Sequence, residues 1–382
     1  MKRLFSLLLC AAVLLSLCGC GVEPPAVDSE NTITVTDMVG RQIPVVPGSY
    51  KRIVCIGAGA LRMYTYVGEV SLLCAVEDIE NESLTQRPKM FDSVARPYVL
   101  AHGDVFQTLP SCGVGGPQAQ AADAELLLSC NPDLVISAYE DADKSAALQE
   151  QLGVPVITLQ IGPDGVFDPA FAESLTLLGK VLDKEDRAAE LCAYVEEETA
   201  AIRAATASVA GQPNVYICGL GNWGTTNHLM TAQSFAPLQV ANVKNVLSGS
   251  ATAGVQAIEK ETFVDLGKDM DIIIMDAAAV KNIAPLYKED PTMFDTCKAW
   301  QNGEVYLQMA YNVYYTNFEL ALANTWFVAQ TVYPEQFPDL DMTAKVNEIT
   351  EMFLGEELAD QIFACPGSFG GYQKIDTATF FQ

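Results

Sequence analysis

The chain has 382 residues, half of them hydrophobic, so it can bury sizeable cores and has room for two ordinary domains. Its formal net charge is −26, which argues against nucleic acid or an anionic membrane face as a partner, because both would repel it. Such a surface suits a protein that stays soluble and monomeric.

The first twenty residues, MKRLFSLLLCAAVLLSLCGC, set Lys2 and Arg3 before an apolar run from Leu4 to Leu17. A short positive start, a hydrophobic segment and small residues at a cut site describe an export signal rather than a membrane span. The ending Leu17-Cys18-Gly19-Cys20 resembles the lipobox of bacterial lipoproteins, which implies that residues 1–19 are removed and that Cys20 carries lipid. Cys18 is the rival, but it puts the bulky Leu17 at the cleavage position. Loss of Lys2 and Arg3 takes the mature charge to about −28. No later apolar stretch is long enough to cross a bilayer.

Residues 20–31 carry two prolines and several acids and read as a flexible tether. TITVTDMVGRQIPVV then alternates apolar and polar residues on both sides of Gly40, which predicts a hairpin. RIVCIG (52–57), SLLCAV (71–76), DLVIS (133–137) and VPVITL (154–159) are short strand candidates. Helical spacing lies between them, in AQAADAELLLSC and in DADKSAALQEQLG, the latter stopped by Gly153. Strands alternating with helices imply a parallel sheet covered on both faces. From Pro169 to Ser208 the chain runs almost without Gly or Pro, with one buried face; only Gly179 interrupts, and Asp183 is placed to cap a second segment. NVYICG (214–219), DIIIMD (271–276) and EVYLQM (304–309) then form a second strand set, and helices over 317–332 and 343–353 finish the chain.

After Cys20 eight cysteines remain and none forms a CxxC pair, so zinc-ribbon and thioredoxin readings have no support. Most sit in apolar runs and read as buried thiols, although Cys112 and Cys365 lie in Gly/Pro loops where a disulfide is conceivable. IVCIGAGALR opens like a dinucleotide fingerprint with Gly57 and Gly59, and Glu77 stands at a tempting distance. The third glycine is missing, however, and Arg62 stands in its place.

An anchored α/β–helix–α/β chain resembles the substrate-binding proteins of ABC importers of the iron-siderophore, haem and cobalamin type. The most recognisable pieces are AELLLSCNPDLVI (124–136) and its looser echo ETFVDLGKDMDIII (261–274). The resemblance implies an α/β fold of two Rossmann-like lobes with mainly parallel sheets, linked by a single long interlobe helix (periplasmic-binding-protein class III). The expected division is a first lobe over 32–167, a connecting helix over 168–208 and a second lobe with terminal helices over 209–382. It implies a non-enzymatic receptor with no resident cofactor or metal site, which delivers an iron chelate (siderophore or haem) to an ABC permease and its ATPase. The alternatives are a corrinoid such as cobalamin as the guest, or an extracytoplasmic enzyme or sensor without transport. Residue by residue, Glu125 and Glu261 match the family's permease-docking acids, with Glu259 close enough to be confused with the second.

The cleft is expected where loops follow strands. Trp223, Tyr139, Tyr311, Tyr314 and Tyr315 offer flat faces with polar tips for a chelate or macrocycle, though the tyrosine spacing is equally that of core residues. Arg62 follows the first strand, and with Arg87, Lys89 and Arg96 it could form a positive patch or a set of solvated rim charges. The only histidines are His102 and His228, too few for a bare metal site of the His-rich kind. His228 could still ligate the metal of haem or a corrinoid.

Overall fold

The computed structural model describes residues 31–116, 119, 121–221, 227–248 and 254–381. The expected anchor Cys20 and almost all of the tether lie outside them. The hairpin predicted around Gly40 is β1 (Ile33–Thr36) and β2 (Gln42–Val45), paired antiparallel with Ile33 opposite Val45. Period-2 burial, with Val35, Ile43 and Val45 inward, fixes that register. Asp37 at the turn accepts from the Arg41 guanidinium at 2.6 Å, and Met38 N–H donates to Thr158 O, so the hairpin is fastened to the first sheet.

The first lobe follows as β3 (Ile53–Ile56), α1 (Ala60–Val67), β4 (Leu73–Ala75), α2 (Pro97–Phe106), α3 (Ala124–Cys130), β5 (Leu134–Ser137), α4 (Ala142–Leu152) and β6 (Val156–Thr158). Its four strands are wholly buried, pair parallel and stand in the order β4-β3-β5-β6. Side-chain caps start the helices: Asp123 accepts from Leu126 N–H and Asp141 from Lys144 N–H, each at 3.0 Å.

The run expected as one connector over 168–208 divides into α5 (Pro169–Leu182) and α6 (Glu185–Thr206). Asp183 does not cap the second segment with its side chain; it takes the left-handed conformation (φ 57°) that ends α5. Gly179 does not interrupt α5 but lets α6 come close, since a Cβ there would lie 2.9 Å from the Cβ of Ala188. α5 folds back on α1 and β1, so α6 alone is the long interlobe element, about 33 Å at 1.5 Å per residue.

The second lobe contains β7 (Asn214–Cys218), β8 (Met230–Ala232), α7 (Ala236–Val240), β9 (Lys244–Asn245), β10 (Val255–Ala257), α8 (Lys260–Gly267), β11 (Ile272–Asp276), α9 (Ala277–Glu289), α10 (Lys298–Gln301) and β12 (Val305–Gln308). The chain then finishes with α11 (Phe318–Val332), α12 (Met342–Leu354), α13 (Ala359–Ala364) and β13 (Gln373–Lys374). The sheet order is β13-β12-β11-β7-β9, parallel except for β13, while β8 and β10 form a separate antiparallel pair.

α6 touches α1 of the first lobe and α7 and α11 of the second. The terminal helices cross back: α12 packs on α1 and α2, and α13 on α2. Arg187 of α6 ties this junction by donating to Tyr66 O (3.1 Å) and to the carbonyls of Met352 and Phe353. As a result one hydrophobic core runs through both lobes and includes Ile53 and Cys55 of β3 together with Val215 and Ile217 of β7. Separate clusters fill the outer face of each sheet.

A shared core makes the lobes one cooperative unit. Ile217→Ala should lower the unfolding free energy by about 2–5 kcal/mol. Urea unfolding followed by tryptophan fluorescence and by circular dichroism should give coincident single transitions; two separated transitions would show independent lobes.

Candidate functional site

The strands of each main sheet deliver their carboxyl ends to a seam between the lobes. β4 is followed by Val76 and Glu77, and Glu77 turns inward under the turn that follows β3. Its carboxylate accepts from Gly57 N–H at 3.1 Å and, across the seam, from the Tyr314 hydroxyl at 2.8 Å. The same hydroxyl accepts from Gly116 N–H at 3.0 Å. Only glycine fits above the acid: a Cβ on Gly115 (φ 64°) would sit 2.8 Å from the Glu77 Cβ. Burial pushes the Glu77 carboxyl up to about 7, against the lowering effect of its bonds from Tyr314 and Gly57.

The second lobe supplies Ala310 to Asn317, which leaves β12 and lies against the first lobe. Tyr314 and Tyr315 both hold positive φ (48° and 78°), sparsely populated for bulky residues and typical of functional turns. Asn317 N–H donates to Tyr311 O and Val313 N–H to Tyr315 O, which closes the turn on itself. Asp276, at the end of β11, stiffens it from behind by accepting from Tyr311 N–H (2.8 Å) and Ala278 N–H (3.0 Å). Burial raises this acid too, to about 7.

Arg62, expected to meet a guest, is 1% exposed and clamps the turn instead. It donates to Val313 O at 2.7 Å, to Asn317 Oδ1 at 3.0 Å and to Thr316 O, while its guanidinium lies 4.7 Å from the Tyr98 ring centroid. Asn317 Nδ2 in turn donates to Ala95 O of the first lobe at 3.0 Å. The floor of the seam is therefore built from both lobes.

Residues 90–310, more than half of the chain, match the model of a family described as periplasmic binding protein. The chain belongs to that family. Among solved structures, the periplasmic solute binding protein of Veillonella parvula is 18% identical with a TM-score of 0.66, over 88% of this chain and 96% of that one. Molybdate-bound MolA of Haemophilus influenzae is 15% identical with a TM-score of 0.64, over 85% and 98%. The TroA-like protein FepB of V. parvula is 18% identical with a TM-score of 0.60, over 85% and 97%. No curated protein matches. At these identities the likeness is one of fold: two Rossmann-like lobes with mainly parallel sheets, the class III periplasmic-binding-protein arrangement.

The remaining expected residues of this periplasmic binding protein fall into four groups. Tyr139 and Tyr315 are half-buried at the seam, with the Tyr315 hydroxyl donating to Gly162 O at 3.2 Å. Tyr311 and Tyr314 are buried, Tyr311 edge-on to Phe235 at 4.8 Å, so both build the floor. His228 lies in the second lobe's aromatic core against Phe263 (5.0 Å) and Phe294 (5.6 Å), and burial pushes its imidazole down to about 4. It does not reach the seam. Trp223 lies outside the described residues.

The positive patch does not form. Arg87 is paired with Asp92 at 2.6 Å, and buried Arg96 with Glu80 at 2.8 Å and Glu82 at 3.0 Å, leaving Lys89 exposed alone. Residues 277–282, directly after β11, form no loop but the first turns of α9. All eight described cysteines are free, Cys112 buried and Cys365 half-buried. The described residues contain no group of three or more His, Cys, Asp or Glu able to hold a metal ion. No described helix is long and apolar enough to cross a membrane.

Glu125 and Glu261 are both exposed in the first turns of α3 and α8, where a negative charge suits the helix dipole; Glu259 is the exposed N-cap residue of α8. The residue missed by sequence reasoning is Glu77. Its signal was the fingerprint spacing after Gly57, which does place an acid beside that turn, where Tyr314 occupies it.

Glu77 makes stability depend on pH with a defined sign. Its unfolded pKa is near the ordinary value of about 4.3, and the folded form keeps its proton up to about 7. Folding therefore takes up a proton between those values, and stability falls as pH rises across that window, then levels off. Asp276 acts in the same direction. Glu77→Gln should flatten the slope by up to about 3 kcal/mol, read from urea unfolding at pH 4.5 to 8; an unchanged slope would place the proton elsewhere.

Proposed function

We propose that this chain is a lipid-anchored, extracytoplasmic solute receptor, a monomer tied to the membrane through Cys20 alone. It captures a metal chelate with a neutral or cationic outer face and delivers it to an ABC permease and its ATPase. An iron chelate of the siderophore kind is the first choice and a corrinoid such as cobalamin the second. It acts by binding and release rather than by catalysis.

The observation that carries this reading is the charge inventory of the seam. Arg62, Arg87 and Arg96 all have their guanidinium groups committed within the protein. The undescribed internal stretches, 117–118, 120, 222–226 and 249–253, contain no Lys or Arg in their sequence. Against two exposed lysines, Lys89 and Lys281, stand Glu140, Asp164 and Asp168 around Tyr311 and Tyr315. Haem with its carboxylates, a tricatecholate, or an oxyanion like the molybdate of the H. influenzae protein would meet repulsion there with no guanidinium fork to offset it. Half-buried Tyr139 and Tyr315 offer faces to a flat or macrocyclic guest.

Tryptophan fluorescence should report saturable binding of a neutral ferric trihydroxamate or of cobalamin, and none of a ferric tricatecholate or haemin at equal concentration. Tight binding of the tricatecholate would overturn the charge argument.

For docking, Glu125 and Glu261 supply one exposed carboxylate on each lobe. An exposed ion pair contributes only ~0.2–1 kcal/mol, so two of them orient the receptor on the permease more than they hold it. Glu125→Ala with Glu261→Ala should abolish guest uptake by whole cells while guest affinity in solution stays unchanged. A parallel loss of affinity would remove these residues from the docking role.

A further inference from the structure

The end of the chain returns from the first lobe to the second, and it passes beside the seam. α13 rests on α2 of the first lobe. The short turn that follows, Pro366–Ser368, lies against α9 of the second lobe. Within that turn Gly367 N–H donates back to Ser93 O of the first lobe at 2.6 Å. β13 then joins the edge of the second sheet beside β12, and Ile375 N–H donates to Val305 O at 2.9 Å. Ile375 and Phe381 finish in the outer core of that sheet, with the Phe381 ring stacked 6.0 Å from Trp300.

Ser93 belongs to the segment that forms the first lobe's side of the floor. The Phe91 ring stands 6.2 Å from that of Tyr314, and Val94 packs on Ala310 and Val313. Ala95 O accepts from Asn317 Nδ2 at 3.0 Å. Residues 91–95 lie in no helix or strand, so no regular ladder of their own fixes them. The contact that reaches them from the chain's end is backbone against backbone. A Cβ at Gly367 would lie 2.4 Å from Ser93 O and 3.1 Å from its carbonyl carbon, and no rotamer change can relieve either clash.

We propose that residues 366–381 are a strap that positions the first lobe's side of the seam floor, with Gly367 as the positioning residue. The seating of Ile375 and Phe381 in the second lobe is carried through the Gly367–Ser93 bond to Val94 and Ala95. Arg62 and the strap then act as complements. Arg62 reaches from the first lobe to hold the turn 313–317. The strap holds residues 91–95 to the second lobe from the opposite end of the sequence. With α6 alone, the bending of one helix would set the width of the seam. A second crossing closes the link into a ring and removes that freedom, whatever guest the seam takes.

Amide hydrogen exchange of the whole protein, read by mass spectrometry, tests this on Gly367→Ala. Forcing the strap off Ser93 should raise exchange over 91–98 and 310–317 roughly tenfold, the factor that one ordinary hydrogen bond is worth. β5 and β11 should keep their wild-type rates, since the opening is local. A uniform rise that includes β5 and β11 would mark a general loss of stability and overturn the positioning role. Unchanged rates over 91–98 and 310–317 would overturn it as well. If Gly367→Ala does not fold, the wild-type protein decides: the Gly367 amide should be protected as strongly as that of Ile375, and weaker protection counts against the strap.

Discussion

The molecule depends on one guanidinium. Arg62 stands after the first strand of the first lobe, yet its donors go to the carbonyls of Val313 and Thr316 and to Asn317, some 250 residues later. A buried charge persists only where its hydrogen bonds are met, so the turn from Ala310 to Asn317 must stay against the first lobe whatever the rest of the seam does. The Glu77–Tyr314 bond and the Asn317–Ala95 bond then follow from where Arg62 holds the turn. The small apolar contact of Val94 with Ala310 and Val313 closes the same gap.

On the proposed function, that constraint shapes recognition. A floor built from protein–protein bonds would be finished before any guest arrives, so little binding energy would be spent on ordering it. What varies is the wall above, where half-buried tyrosines and acids meet solvent. Consecutive positive-φ tyrosines show that the turn is held against its local preference. The surrounding core over-determines it: Arg62 grips one side while Asp276 grips the other.

The sequence made the framework legible where periodicity was strong. Alternation about Gly40 predicted the β1–β2 hairpin, and the wholly buried apolar runs at Ile53, Leu134 and Ile272 predicted parallel strands. The strands β8, β9, β10 and β13 are two or three residues long and carry no period to detect. The site was harder to read, because its chemistry depends on partners remote in sequence. Arg62 looked like a ligand cation since nothing near it in the chain shows the carbonyls it satisfies. His228 looked like a ligand because loops after strands often bear them, but Phe263 and Phe294 enclose it. Arg96 looked like a patch residue, although the acids that neutralise it, Glu80 and Glu82, are visible upstream.

The continuous core bears on how the chain reaches its native state after crossing a membrane. The first lobe's helices α1 and α2 are covered by α12 and α13, from the last forty residues or so of the polypeptide. Until those residues arrive, Tyr66 and its neighbours face solvent with no Phe353 to pack on. Contacts of such long sequence separation form slowly, so the amino-terminal half waits, incompletely sealed, for the carboxyl terminus to emerge. A chain of this design seals its amino-terminal half only once its final helices have packed on α1 and α2.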